Sequence, residues 1–333
     1  MLYIRPMLHV RIVSPQGSTD RVLEILERTE SVCNLIVLPG SARRPAGDVL
    51  LCDVPREDAS VVLADLRSLG IHHDGSIAVE AIETELSDGM ERAADAARGS
   101  ASDAVVWEEV TKRTSESAEL SFSFALFMVL AALIASVGIF LDSAILIVGA
   151  MVVGPEFGPI AGICVAVLER RRDLAVRSAR ALGVGFPLAI AAVIVAALIF
   201  RATGLTSEDF ATQDHAFVEL ISKPDFFAFF VAFCAGIAGM LSLTTAKSAA
   251  LIGVFISITT IPAAANAGIA AAYADWASLR GSLAQLVVNL SGILLAGTLT
   301  LVVERRMYDR RRRRHVEALA RSEVTAGARA PKD

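Results

Sequence analysis

"GAMVVGPEFGP" (149–159) interrupts a long apolar run with two prolines, three glycines and one carboxylate, Glu156. Proline removes a backbone donor and breaks helical hydrogen bonding, and an acid at bilayer depth costs about 2.5–3.5 kcal/mol even on the lenient insertion scale. The run is either a crossing helix broken partway or a re-entrant hairpin, and the rest of the chain has to decide between them.

The flanks point to a membrane. The chain has 333 residues, 54% of them hydrophobic and 20% charged, with a mean hydropathy of +0.56. Soluble proteins rarely average that apolar. Residues 1–119 hold most of the acids, whereas 120–303 is nearly continuous hydrophobe. At roughly 20 apolar residues per span, six spans fit: 120–140, 143–168, 174–200, 225–245, 247–273 and 280–303. The basic clusters are "ERRRD" (169–173, with Arg170, Arg171 and Arg172) and "ERRMYDRRRRRH" (304–315, with Arg305, Arg306, Arg311 and Arg312), with Lys247 between the fourth and fifth spans. Six spans place all of these on one side, so both termini are expected in the cytoplasm. A hairpin at "GPEFGP" would put "ERRRD" outside, so the second span reads as a crossing helix with a kink or break. The terminal arginines read as a topology signal that grips anionic lipid, not as a nucleic-acid site.

The fifth span carries a similar interruption. "SAILIVGAMVVGPEFGPIAG" (143–162) aligns with "SAALIGVFISITTIPAAANAG" (248–268), matching Gly149 to Gly253 and bringing Pro262 within one residue of Pro159's place. Each is followed by a polar turn and another long span. Spans one to three and four to six therefore read as two copies of one unit, and a three-span unit inserts the second time upside down. The expectation is a 3+3 inverted repeat with broken second and fifth helices.

The soluble part has strand-like runs at 8–15, 33–40, 48–55 and 76–86, and amphipathic helices at 18–30 (with a Ser/Thr cap) and 56–70 (with Gly70 at its C-cap). That order is the split pattern of α+β ferredoxin-like folds, shared by small-molecule sensing domains of the ACT type. The loop "SPQGSTD" (14–20) is a place for a ligand, or the module serves docking alone. The expected organisation is a cytoplasmic domain over 1–86, a linker and amphipathic helix over 87–119, six spans over 120–303 and a basic tail over 304–333. Trp107 either anchors the linker helix at the bilayer surface or packs on the soluble domain. "MLYIRPMLHVRIV" has no signal-like apolar core, so no cleaved leader is expected. Cys33, Cys52, Cys164 and Cys234 have no metal spacing and read as reduced packing residues, and "HHD" (72–74) reads as a solvated loop.

Taken together, "DSAILIVGAMVVGPEFGPIAGICVAV", "ALIGVFISITTIPAAANAGIAAA" and the preceding domain resemble the bacterial membrane family described as domain of unknown function 389. The resemblance implies a bacterial inner-membrane protein and brings no activity with it. The family stretch is usually all apolar between its prolines, so Glu156 departs from it. Three function classes follow: a small-solute or ion transporter, a channel gated by the cytoplasmic domain, and a non-transporting sensor or scaffold. No HExxH, GxSxG or paired carboxylates specify an enzyme, and no cofactor is implied. The expected pathway comprises Gly154, Pro155, Glu156, Gly158, Pro159, Ser257, Thr259, Thr260, Pro262, Asn266 and Asn289. Backbone groups freed at the breaks cannot face lipid, and Glu156 is expected to exchange a proton or cation. The partners are the bilayer, a small-molecule or ion substrate and, from the Gly/Ala-rich spans, further copies of the chain.

Overall fold

A computed structural model describes residues 7–82, 87, 89, 92–93, 107–207, 216–245, 253–254, 256 and 259–329; the side chains of 108, 109, 113, 216, 217, 220 and 311–329 lie outside that description. The chain divides into two compact units. The first is drawn from Met1–Glu109, Thr244–Ala246 and Tyr308–Asp333, the second from Val110–Leu243 and Lys247–Met307.

The first unit holds a small antiparallel sheet of β1 (Met7–Ser14), β2 (Cys33–Arg43), β3 (Ala46–Pro55) and β4 (Ser76–Ile82), in the order β2-β3-β1-β4. Helices α1 (Thr19–Arg28) and α2 (Arg56–Ser68) intervene, giving the strand-helix-strand-strand-helix-strand order. Alternation along β1 turns Leu8, Val10 and Ile12 inward with Val22, Leu26, Val62, Leu63 and Leu66. Cys52 belongs to the same core, and burial pushes its thiol up to about 12, so it stays a neutral packing group. Tyr308 donates its hydroxyl hydrogen to the Ser60 carbonyl at 3.0 Å.

Several local expectations are corrected. Ser18 makes no capping bond; α1 follows a 3-10 turn over Gln16–Ser18 and begins at Thr19, whose hydroxyl donates to Asp48. Gly70 is left-handed at φ 77°, but it leads into the short helix α3 (Ile71–Asp74), so "HHD" is helical and not a loop. The last strand is described to Ile82; 83–86 lie outside the described residues. Trp107 opens α4 (Trp107–Ser117) and is buried, which removes its ring from the role of an interfacial anchor. Cys234 is exposed, unlike Cys52 and Cys164, so it is no core packing residue.

In the second unit, four helices among the described residues are long and apolar enough to cross a membrane. They are α5 (Phe122–Phe140), α8 (Arg172–Ala202), α10 (Phe226–Thr244) and the first part, Trp276–Arg310, of α12 (Trp276–Arg329). Helices α6 (Ala144–Val153) and α7 (Phe157–Glu169) together are long enough for one more, but they bend by 49° at their junction. A short helix α9 (Ala216–Ser222) precedes α10, and α11 (Thr260–Ala272) lies within the expected fifth span, most of whose first half is outside the described residues. The helix expected to stop near 303 runs on to Arg329. Large apolar side chains such as Ile145, Val176, Val195, Phe226, Phe227, Val287 and Leu295 are exposed, as lipid-facing positions require.

Helices α7 and α11 are built alike. Each has 13 residues with proline at its third position, Pro159 and Pro262, where a missing amide hydrogen is tolerated. Each is followed by a left-handed residue, Arg170 or Ala274, both at φ 57°, and then by a long helix, α8 or α12.

Candidate functional site

The break after Val153 follows from proline chemistry. Gly154 still donates its amide hydrogen to the Ala150 carbonyl at 3.2 Å, but Pro155 has none to give Met151. The chain turns, and α7 starts with Glu156 as its N-cap residue. The Glu156 side chain does not cap its own helix. Its Oε1 instead accepts a hydrogen from the Thr260 hydroxyl at 2.7 Å, at the first residue of α11. The carboxylate thus joins the two half-helices, and the Glu156 side chain is only 4% exposed.

Gly154 makes room for this arrangement. A β-carbon there would fall on Glu156 Oε2 and within 2.7 Å of Ile261 Cγ1. Oε2 itself has no hydrogen-bond partner among the described residues.

From Thr260 the polar groups continue along α11 and α12. Asn289 Nδ2 donates to Thr259 Oγ1 at 2.8 Å, and Gln285 Nε2 donates to Asn289 Oδ1 at 3.2 Å. Asn266 Nδ2 reaches Ser282 Oγ at 2.8 Å and Ser278 Oγ at 3.2 Å. As the partner on α12 moves from 289 back to 282 and 278, the partner on α11 moves from 259 forward to 266, so these helices pair antiparallel. Thr260, Asn266, Ser282, Gln285 and Asn289 are all buried. Gln285 Oε1, like Glu156 Oε2, lacks a partner among the described residues.

Of the expected pathway residues, the structure joins Glu156 to Thr260, and Thr259 to Asn289, with Gly154 against the carboxylate. Pro159 and Pro262 are buried in the first turns of their helices, and Pro155 is half-buried at the bend. Gly158 lies against Ser117, where a β-carbon would meet the Ser117 carbonyl oxygen at 2.7 Å, so its role is helix packing. Ser257 lies outside the described residues. Among the basic positions, Arg170 ends α7, Arg171 pairs with Asp173 at 3.2 Å, Arg172 opens α8, and Arg306 is exposed while Arg305 is half-buried. The side chains of Arg311 and Arg312 lie outside the described residues.

Sequence reasoning missed Ser278, Ser282 and Gln285. Their signal was present: with Asn289 they stand at i, i+4, i+7 and i+11, one stripe of a helix whose other faces carry the exposed Leu283 and Val287. In lipid each unsatisfied polar group costs several kcal/mol, so such a stripe turns inward and finds partners.

Residues 151–295 match the family described as Domain of unknown function (DUF389), so the resemblance read from the sequence is shown over that segment. The chain is also 28% identical over 198 residues to an uncharacterised protein of Methanocaldococcus jannaschii, an alignment covering 57% of this chain and 58% of the relative. The chain thus spans 58% of that relative's length. The relative is archaeal, so the likeness is not confined to bacteria. No solved structure matches.

Proposed function

We propose that this protein is a carrier for a small solute or ion in the cytoplasmic membrane, built as a 3+3 inverted repeat of six spans, with both termini in the cytoplasm and the N-terminal domain as its regulator. The observation that carries this reading is the buried polar seam from Glu156 through Thr260, Thr259 and Asn289 to Gln285. Polar side chains at that density inside apolar helices are costly, and they mark solute and ion paths in membrane proteins. The seam begins at a break in a discontinuous helix, where many secondary carriers place their sites. The matching construction of α7 with α8 and of α11 with α12 supports the repeat, and the bent α6–α7 pair fits a single broken span.

A second reading is a non-transporting sensor or scaffold assembled as a homo-oligomer. It is favoured by the close glycine packing of the spans, where β-carbons on Gly236 and Gly268 would meet Ile293 and Val193 below 3 Å.

Flux into proteoliposomes, measured with a panel of ions, amino acids and organic acids, separates these readings. The carrier is expected to show saturable uptake of at least one solute, reduced at least tenfold by Asn289→Leu. A channel would give uptake that does not saturate. No flux from folded protein for any member of the panel would leave the scaffold standing.

A further inference from the structure

We infer that Glu156 is the anionic ligand of a small monovalent cation, held at the break between α6 and α7; this rests on reading the polar seam as a carrier's path. The two oxygens of Glu156 have unlike surroundings. Oε1 accepts from Thr260 at the N-terminus of α11, where the helix dipole is positive. Oε2 folds back against Gly154, the C-cap of α6, where the dipole is negative.

That second oxygen makes no hydrogen bond among the described residues. Pro155 withholds the amide hydrogen that the Met151 carbonyl would take in an unbroken helix, and Oε2 is buried with no donor among the described residues. A buried carboxylate oxygen that has no hydrogen bond of its own is stabilised by one positive charge beside it. Oxygen-rich surroundings with a single acid suit a proton or an alkali ion, whereas divalent ions are held by more carboxylates or waters. The other unpaired buried atom of the seam, Gln285 Oε1, is also an acceptor, so what the seam lacks at both ends is a donor or a cation.

Among the described residues, no neighbouring charge supplies it. Helices α5, α6, α10 and α11 carry no charged residue, and α7 has only Glu169 at its far end. On α8, Arg172, Asp173, Arg177, Arg180 and Arg201 stand near the ends, and on the span of α12 Arg280 and the residues from Glu304 onward do the same. Lys112 and Glu116 of α4 pair with each other, as do Glu219 of α9 and Lys223. None of these pairs with Glu156 among the described residues.

The test reads binding without flux. The full chain in detergent micelles is melted near neutral pH in sodium, potassium or choline chloride at equal ionic strength, and again across about pH 5 to 9. Wild type is expected to gain roughly 3 °C or more at an alkali concentration tenfold above its Kd, and Glu156→Gln is expected to lose the gain. A melting point that follows pH but not alkali ions, with the dependence gone in Glu156→Gln, identifies the proton as the cation. A wild type indifferent to both, or a Glu156→Gln variant with the same response, overturns the site. Should Glu156→Gln not fold, Glu156→Asp, which withdraws the charge by one methylene, must weaken the apparent affinity at least tenfold; unchanged affinity overturns the site equally. Cation-dependent melting without solute flux would sink the carrier alone, and saturable flux without any cation response would sink the cation site alone.

Discussion

Gly154 and Glu156 compete for one small space. The backbone at Gly154, with φ −62° and ψ 128°, suits any residue, so side-chain volume and not conformation demands glycine. An alanine methyl would land on Glu156 Oε2 and crowd Ile261. Gly154→Ala should therefore lower the melting temperature, with overpacking costing about 1–3 kcal/mol, and should weaken the Glu156–Thr260 contact. An unchanged melting curve would mean that Glu156 rests elsewhere. The sequence exposed the acid and the prolines around it, because each is conspicuous in an apolar run. It could not choose Thr260 over the other polar residues of the second break, since that bond joins residues 104 apart. Only packing brings them together.

At the scale of elements, the β2–β3 hairpin is tied to α1 by Asp48. Its carboxylate accepts from the Gly40 amide and from the Thr19 hydroxyl, both at 2.7 Å, and these bonds hold its pKa below the ordinary carboxylate value. A depressed pKa contributes stability that is fully present above the unfolded value of about 3.9 and is lost as pH falls through the lower folded value. Hydrogen exchange at Gly40, corrected for intrinsic rate, should accordingly show protection that is steady from about pH 5 upward and falls away below about pH 4. Asp48→Asn should remove that dependence; a Gly40 amide equally protected at both ends of the range would refute the tie. The same bond bears on the loop 14–20, because Asp48 already occupies the Thr19 hydroxyl that an anionic ligand at the start of α1 would use. The seam teaches a related lesson. The spacing of Ser278, Ser282, Gln285 and Asn289 was legible as a stripe, but its partners on α11 were not.

For the whole molecule, the proposed six-span arrangement makes a prediction about sidedness. A cysteine placed near Asp209, outside the described residues, should react with an impermeant reagent added to intact cells. Cysteines at Arg171 and Arg312 should react only after the membrane is opened. Labelling of position 171 from outside would make the bent α6–α7 pair a re-entrant hairpin and rule out the proposed inverted repeat.

The sequence by itself determined what depends on composition and local period: a membrane-embedded half, a small α+β domain before it, and the proline-marked break at 154–156. These are properties of a residue and its near neighbours, and the solvent enforces them wherever the chain lies. The tertiary structure alone decided which buried polar atoms found partners: Glu156 with Thr260, Asn289 with Thr259 and Gln285, Asn266 with the two serines of α12, and Oε2 of Glu156 with none among the described residues. A hydrogen bond needs atoms within about 3 Å and in line, and distance along the chain says nothing about distance in space.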